Sequence, residues 1–287
     1  MGCPCSIVVD ALPSDEVQSC LLRGEEEVRR IEQKFSRYRA ESVTGRINAA
    51  AGITAVDCDA ETATLLNLAG RLHADTDGLF DITSGVLRKA WDFSRPCLPD
   101  AEVLKGLLGL VGWGRVQWDG QRIYLPRTGM EIDLGGFGKE YAADRVAQVM
   151  AQQGLLHGFV NLGGDVRVWG SRTDRRPWHV GVQHPRQPDQ IALTVGLAQG
   201  GMATSGDYER FIEVDGRRYC HILNPRNGWP VEGWRSITVL APTCLLAGVM
   251  STTFMLMQET AGEAMACSGL RGWAMDSSGK WHFFGAS

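Results

Sequence analysis

IDLGGFGKEYAAD, residues 132–144, marks the point at which a short apolar run gives way to a helical pattern. We predict a strand before the glycines and a helix that continues to about Gln152. The glycines allow a sharp turn and let backbone N–H groups come close to a ligand. Because the N-terminus of a helix carries unpaired N–H donors and a partial positive charge, this turn suits a phosphate.

A lysine follows the glycines and adds a full positive charge to the first helical turn. The residue after Lys139 is Glu140, and the glycine spacing matches neither the Walker phosphate loop nor the dinucleotide-binding fingerprint. An ordinary strand–turn–helix corner with an exposed lysine is therefore the alternative to a phosphate site. This stretch alone does not decide between the two.

The rest of the chain combines helical periods with runs typical of strands. Helices are predicted at residues 15–35, 60–74, 101–108 and 243–258, with a further short helix between Gly78 and Trp91. Strands are predicted at residues 6–12, 116–119, 121–125, 178–183, 191–197, 211–214, 217–222, 236–240, 271–276 and 280–284, and as a pair within residues 159–169. Because the strands cluster in sequence apart from the helices, the pattern favours an α+β fold over regular βαβ alternation.

The composition is that of a globular protein, and 287 residues can bury one large core or two smaller lobes. A net charge of −4 gives no electrostatic reason to expect a nucleic acid partner. No apolar run approaches the roughly 20 residues that a membrane span needs, so no membrane span is expected.

Cysteine usage and the N-terminus predict a cytoplasmic protein. The eight cysteines include no C-x-x-C pair and no zinc-binding spacing with the six histidines, so we interpret them as small buried side chains in a reducing compartment. The N-terminus lacks the basic and apolar regions of a secretory signal. MGCPCS, residues 1–6, matches the loose N-myristoylation pattern, but residues 7–12 read as a strand that the fold needs.

Further stretches bring glycines, hydroxyls, charges and aromatic side chains together at irregular positions. They are FSRYR (35–39), LFDIT (79–83), NLGGD (161–165), TSGDYER (204–210) and HILNPRNG (221–228). Each has a simpler explanation, because Gly-Gly, Asn-Pro and Asn-Gly pairs are ordinary turn dipeptides. A single histidine such as His221 is more often a core residue than a catalyst. Taken singly, these stretches do not specify a function.

In their order and combination, the stretches resemble the FAD:protein FMN transferases, the ApbE-like flavin transferases. The resemblance runs from Met1 to about Leu256. It rests on MG at the start, FSRYRAES…IN (35–48), GLFDIT, IDLGGFGKEYAAD, NLGGD, TSGDYER, HILNPRNGWPV and the apolar helix LAGVMSTTFML (246–256).

The resemblance implies a single domain over residues 1–287, with two lobes of mainly antiparallel sheets and packed helices around an FAD cleft. We place the boundary between the lobes near residue 110. The implied reaction moves FMN from FAD to a Thr or Ser of a target flavoprotein, releases AMP and uses Mg²⁺. Since the acceptor hydroxyl attacks the FMN-side phosphorus, the protein must position both groups and neutralise charge on the phosphates.

The resemblance also implies roles for individual residues. The implied FAD contacts are Met1, Tyr38, Phe80, Asp81 and Ile82 at the flavin, Asp133 at the flavin or adenine end, Lys139 at the diphosphate, and the backbone of Ile222. The metal is expected between the carbonyl of Gly136, the hydroxyl of Thr252 and the diphosphate. His221 is expected near the acceptor hydroxyl as a base, which makes His221, Lys139 and Thr252 the implied catalytic residues.

Besides the small change from threonine to Cys3, two positions depart from the family pattern. An aspartate normally precedes the metal-binding threonine by four residues, and here that position is Gly248; glycine normally follows the lysine of the glycine turn, and here Glu140 does. Because Mg²⁺ usually takes one or two carboxylates besides phosphate oxygens, we hypothesise that Glu140 supplies the carboxylate that Gly248 lacks. The alternative is that Glu140 only complements the dipole of its helix.

These departures leave three functions open. They are a transferase with a rearranged metal site, an FAD diphosphatase that releases free FMN and AMP, and an FAD-binding protein without metal-assisted chemistry. Gly248 favours the last, whereas the intact Lys139, His221 and Thr252 favour the first two; we take the transferase as the leading interpretation. Many members of the family are exported or lipid-anchored, so an export segment ahead of Met1 is the alternative to a cytoplasmic location.

Overall fold

The structure, a computed structural model, describes residues 2–285 and divides them into two compact units. Unit 1 contains the chain up to Glu32, residues 136–208 and the chain from Gly233 onward, and unit 2 contains residues 33–135 and 209–232. The sequence placed one boundary near residue 110, but no single cut separates units that the chain enters more than once.

Helices and strands follow one another irregularly along the described residues. The helices are α1 (Asp15–Phe35), α2 (Val43–Ala49), α3 (Ala60–Asp75), α4 (Ala101–Leu108), α5 (Gly138–Gln152), α6 (Cys244–Met257) and α7 (Ala261–Cys267), with 3₁₀ helices at Ile82–Lys89, Trp113–Arg115 and Gln258–Thr260. The strands are β1 (Cys5–Val9), β2 (Val56–Asp57), β3 (Gln117–Trp118), β4 (Arg122–Tyr124), β5 (Gly158–Leu162), β6 (Asp165–Trp169), β7 (Trp178–His184), β8 (Gln187–Leu197), β9 (Gly200–Gly206), β10 (Phe211–Val214), β11 (Arg217–Cys220), β12 (Trp234–Ala241), β13 (Arg271–Asp276) and β14 (Trp281–Phe284).

Unit 1 is built on a seven-stranded antiparallel sheet with the order β1-β5-β6-β9-β12-β13-β14. Helix α5 packs on β5 and β6, and α6 packs on β9 and β12 and against α5. Strands β7 and β8 form a separate hairpin, whose Trp178 joins a core cluster with Val168 and Met202 of the large sheet. The two helices that carry the glycine turn and Thr252 are thus neighbours on one sheet.

Strand β9, in the middle of that sheet, is the main element that sequence reasoning missed. Its sequence GGMATSG has one β-branched residue, Thr204, and no aromatic residue, so its composition is not typical of a strand. A Cβ at Gly201 would lie 2.5 Å from the carbonyl carbon of Thr243, so glycine lets the start of α6 rest on the strand. The irregular structure expected for residues 204–210 is therefore wrong for Thr204 and Ser205, which belong to β9.

Unit 2 combines helices with small sheets. Strands β2, β4 and β3 form one sheet, and β10 pairs with β11. One core cluster joins Val86 and Leu87 to Leu104 of α4. A second surrounds Trp91, whose indole N–H donates to the carbonyl of Gly228 over 2.8 Å. This hydrogen bond ties the HILNPRNG turn into the core of the unit.

The α+β class, with mainly antiparallel sheets and packed helices, is confirmed. The helices predicted at residues 15–35 and 101–108 have those bounds. The strand predicted before Gly135 is wrong, because residues 130–134, all within the described range, belong to no strand. The backbone of Ile132 pairs instead with the side chain of Asn48. Between residues 2 and 285, no helix is both long enough and apolar enough to cross a bilayer.

Candidate functional site

In unit 2, the segment around Asp133 is held against two other stretches that the sequence singled out. The N–H of Asp133 donates to the carbonyl of Ile82 over 2.8 Å, and the side chain of Asn48 bonds both backbone groups of Ile132 at 3.0 and 2.7 Å. A Cβ at Gly85 would lie 2.5 Å from the Cβ of Asp133, so glycine permits this approach. The predicted residues Ile82 and Asp133 are thereby brought together.

The carboxylate of Asp133 is ion-paired with Arg37 and also accepts the N–H of Gly135 over 2.9 Å. Arg37 in turn donates to the hydroxyl of Tyr38 over 2.8 Å and lies 4.9 Å from the centre of its ring. The hydrogen bond from Arg37 lowers the pKa of Tyr38. The tyrosine is 74% exposed, so Arg37 holds an aromatic face where a planar ligand can stack. Sequence reasoning assigned no role to Arg37, although FSRYR signalled it.

Phe80, Asp81 and Ile82 are all buried. The carboxylate of Asp81 accepts hydrogen bonds from the N–H and hydroxyl of Thr83, at 2.8 and 2.6 Å, and from the N–H of Trp113 at 2.9 Å. Asp81 therefore caps the 3₁₀ helix that follows it and serves the folding of unit 2. Its predicted place in a flavin pocket stays a prediction.

His221 directly follows β11 and is exposed. Its backbone N–H donates to the carbonyl of Arg210 over 3.0 Å, and its Nδ1 lies 3.3 Å from the same oxygen. Because a carbonyl can only accept, Nδ1 carries the proton, and the lone pair of the neutral ring is on Nε2. A base acting through Nε2 requires this tautomer. The neighbouring Ile222 is buried, and its carbonyl accepts the N–H of Val231 over 2.9 Å.

In unit 1, helix α5 begins at Gly138, with Phe137 in the N-cap position. A phenyl ring cannot accept hydrogen bonds from the first-turn N–H groups, as Ser, Thr, Asn or Asp would. Lys139 is ion-paired with Asp165, and its Nζ lies 3.8 Å from Oε1 of Glu140. Burial alone would lower the pKa of Lys139, but the charges of Glu140 and Asp165 outweigh it and raise that pKa. Lys139 is therefore a permanent cation at the helix start.

Glu140 is 6% exposed, and its Oε2 has no hydrogen-bond partner among the described residues. Burial, and next the charge of Asp165, raise the pKa of Glu140 to about 8 against the opposing effect of Lys139. The side chain fills the space over Gly248 of α6, where an added Cβ would lie 2.5 Å from Cγ of Glu140. The two departures from the family pattern thus meet in space.

Thr252, one turn after Gly248, begins a chain of hydroxyls. Its Oγ1 lies 2.9 Å from Oγ of Ser205, which lies 2.9 Å from Oγ of Ser251. Ser251 donates to the carbonyl of Gly248 over 3.0 Å. Since each hydroxyl has one proton, the carbonyl fixes the direction: Ser205 donates to Ser251, and Thr252 donates to Ser205. The hydroxyl of Thr252 therefore donates its proton to Ser205, and the lone pairs of Oγ1 remain available as acceptors.

Asp144, the last residue of IDLGGFGKEYAAD, joins α5 to α6. Its carboxylate accepts the N–H groups of Cys244 and Leu245, each over 2.9 Å, and pairs with Nε of Arg167 over 3.0 Å. Burial raises the pKa of Asp144 despite these hydrogen bonds. Asp144 thus caps the helix that carries Thr252, a positioning role that sequence reasoning did not assign.

The predicted metal ligands Gly136 and Thr252 both belong to unit 1. With Glu140 they offer a carbonyl, a hydroxyl and a carboxylate oxygen, the hard donors that Mg²⁺ prefers. Across residues 2–285, no cluster of three or more His, Cys, Asp or Glu side chains suited to a metal ion occurs. By their chemistry, the three donors fit a hard cation. Met1, predicted at the flavin, lies outside the described residues.

Residues 1–273 match the ApbE family. The chain belongs to the ApbE family. Among curated relatives, the FAD:protein FMN transferase of Vibrio cholerae is 30% identical over 243 residues, which cover 82% of this chain and 72% of the relative. An FAD:protein FMN transferase of Klebsiella pneumoniae is 33% identical over 250 residues, which cover 85% of this chain and 76% of the relative.

The fold of this ApbE-family chain is also that of solved relatives. The crystal structure of the ApbE protein from Thermotoga maritima is 31% identical, with a TM-score of 0.87 over 98% of this chain and 97% of that one. The flavin transferase ApbE from Vibrio cholerae is 25% identical, with a TM-score of 0.88 over all of this chain and 94% of that one. Both units of this ApbE-family chain are therefore covered by each match.

Proposed function

We propose that the protein is an FAD:protein FMN transferase, which moves FMN from FAD to a Thr or Ser of an acceptor flavoprotein and releases AMP. The observation that carries the proposal is the match to relatives of that name at 30–33% identity over more than four-fifths of the chain. The family match over residues 1–273 supports treating both units as parts of one transferase domain.

In unit 2, we assign flavin binding to Tyr38, Phe80, Ile82 and Asp133. The exposed ring of Tyr38, steadied by Arg37, suits stacking on a planar flavin. Asp133 is fixed by its ion pair and by its backbone bond, so its carboxylate can orient a polar edge of FAD. The roles proposed for Met1, Asp81 and the backbone of Ile222 rest on the family resemblance alone.

The proposed chemical step is attack by the acceptor hydroxyl oxygen on the FMN-side phosphorus of FAD. A new P–O bond to the acceptor forms, the P–O bond to AMP breaks, and the hydroxyl proton passes to Nε2 of His221. The hydrogen bond from Nδ1 to the carbonyl of Arg210 supports that tautomer. Lys139 neutralises charge that develops on the phosphate oxygens.

We propose Gly136 and Thr252 as oxygen ligands of Mg²⁺. The hydroxyl of Thr252 donates its proton to Ser205, so its oxygen lone pairs are available to a cation, which supports this role. When bound, the cation supplies positive charge to the diphosphate.

We propose the cytoplasm as the compartment, because all eight cysteines are free thiols. Only Cys20, Cys220 and Cys244 are buried, so the interpretation of the cysteines as buried side chains is wrong for the other five. Export remains the alternative, and fractionation of cells that express the full native gene product tests it.

Product analysis tests the proposed reaction. Purified protein is incubated with FAD and with an acceptor domain that contains a flavinylation site, with and without Mg²⁺. Covalent FMN on the acceptor, with AMP released in equal amount, is the expected result, and an acceptor with alanine at the target hydroxyl is the control. Free FMN and AMP without acceptor labelling would identify a diphosphatase instead. FAD binding without AMP release would identify a flavin-binding protein, and either result would contradict the proposal.

A further inference from the structure

A buried carboxylate on α5 faces a glycine on α6 without a full set of partners. Glu140 is 6% exposed, and its Oε2 has no hydrogen-bond partner among the described residues. Burying a charged group is unfavourable unless a partner compensates the lost hydration. A side chain in this state requires either a proton or a cation at that oxygen.

The nearby lysine does not satisfy Glu140. Lys139 contacts Asp165 directly, whereas its Nζ lies 3.8 Å from Oε1 of Glu140, beyond hydrogen-bonding distance. When Glu140 is ionised, the charge of Lys139 therefore stands against two buried carboxylates, those of Glu140 and Asp165. These three side chains then carry one net negative charge, which a further cation would balance.

The space that Glu140 occupies exists only because residue 248 has no side chain. A Cβ at Gly248 would lie 2.5 Å from Cγ, 2.8 Å from Cδ and 2.7 Å from Oε1 of Glu140. All three atoms belong to the same glutamate, so any larger residue at position 248 would displace this carboxylate. Glycine in the middle of a helix is otherwise unfavourable. Its presence at position 248 therefore indicates a function for the contact between Glu140 and α6.

The hydroxyl of Thr252 is a further oxygen donor on the face of α6 that contains Gly248. Thr252 follows Gly248 by four residues, so both lie on one face of α6. Helical side chains lean towards the N-terminus of their helix, which brings the hydroxyl of Thr252 over the turn of Gly248. This hydroxyl donates its proton to Ser205, so its lone pairs can serve a cation.

We infer that Glu140 is the carboxylate ligand of the divalent cation in this protein, and that Gly248 is the residue that makes room for it. The inference rests on the proposed metal-dependent transferase. In the family pattern the metal-binding carboxylate is at position 248 on α6, whereas here it is Glu140 in the first turn of α5. The type of ligand, a carboxylate oxygen, is the same in both. Oxygen ligands suit hard divalent cations such as Mg²⁺, Mn²⁺ and Ca²⁺, and Mg²⁺ is the ion expected for the proposed transferase.

Mn²⁺ binding to the full-length protein tests the inference without FAD or acceptor. The electron paramagnetic resonance signal of free Mn²⁺ falls as the ion binds, which gives an affinity in a direct titration. Glu140→Gln keeps the size of the side chain and removes its charge, and we expect an affinity loss of at least about 10-fold. Glu27→Gln is the matched control, because Glu27 is a part-buried carboxylate of unit 1 paired with Arg30 and Arg145. Its affinity should equal that of the wild type.

Moving the carboxylate back to α6 gives a second test that does not depend on the folding of Glu140→Gln. The double variant Glu140→Gly/Gly248→Asp should bind Mn²⁺, and Glu140→Gly/Gly248→Asn, which has the same shape without the charge, should not. Three results would each overturn the inference. They are equal affinities for these two double variants, a wild-type affinity in Glu140→Gln, and no Mn²⁺ binding by the wild type at millimolar concentrations. Mn²⁺ binding through Glu140 without FMN transfer would leave it standing and reject only the proposed function.

Discussion

Replacing Asp144 by alanine should destabilise the protein by removing the carboxylate that joins α5 to α6. The N–H groups of Cys244 and Leu245 each donate to it over 2.9 Å, and Arg167 pairs with it over 3.0 Å. Hydrogen bonds to a charged group contribute about 1.5–3 kcal/mol each. The side chain is 19% exposed, so water replaces part of the loss. We expect the free energy of unfolding to fall by about 2–4 kcal/mol.

Urea unfolding followed by tryptophan fluorescence measures this change, and the melting temperature should fall by about 2 °C for each kcal/mol lost. Asp144→Asn retains one acceptor oxygen and should show a smaller loss than Asp144→Ala. Asp174→Ala is the control, because Asp174 is an exposed carboxylate paired with Arg176 of its own loop, and its urea midpoint should be unchanged. A midpoint for Asp144→Ala that matches this control would refute the view that a carboxylate cap holds α6.

Three further predictions concern the candidate site. Burial and Asp165 raise the pKa of Glu140 from 4.5 to about 8, so between these pH values the folded metal-free protein binds one proton more than the unfolded protein. Its free energy of unfolding should therefore fall as the pH rises from 4.5 to 8, and urea unfolding should show a weaker pH dependence in Glu140→Gln. His221→Ala should lower the rate of FMN transfer by about 10²–10⁴-fold while FAD affinity, measured by flavin fluorescence, stays within about 2-fold; equal losses in both would reject a role as base. Asp133→Asn should weaken FAD binding by about 10-fold, because it leaves Arg37 without its ionic partner; unchanged affinity would separate Asp133 from the flavin site.

Elements specified by local signals could be predicted from the sequence. Helix α1 has a long apolar period, and α3 is capped by Asp59, which accepts the N–H of Thr62 over 2.9 Å. Strand β9 could not be predicted, because its glycines serve the approach of α6 and not a local preference. The segment before Gly135 is not a strand, since its partners are the side chain of Asn48 and the carbonyl of Ile82.

For the candidate site, residue types were readable in the motifs, but their partners were not. Lys139 and Asp165 are 26 residues apart, Ser205 and Thr252 are 47 apart, and Arg37 and Asp133 are 96 apart. Such pairs depend on the topology of the chain, which local patterns do not define. From the sequence, the relation between Glu140 and Gly248 was a hypothesis, because it rested on two departures from the same family pattern.

The strand order of unit 1 has a consequence for synthesis on the ribosome. Strand β12 lies between β9 and β13, yet its residues, Trp234–Ala241, are synthesised only after β9, β10 and β11. Until then β9 pairs only with β6 inside the sheet, and its other edge is open to any strand that it meets. A nascent chain that stalls before Trp234 should therefore be the length at which chaperones bind most strongly and at which newly made copies aggregate most readily.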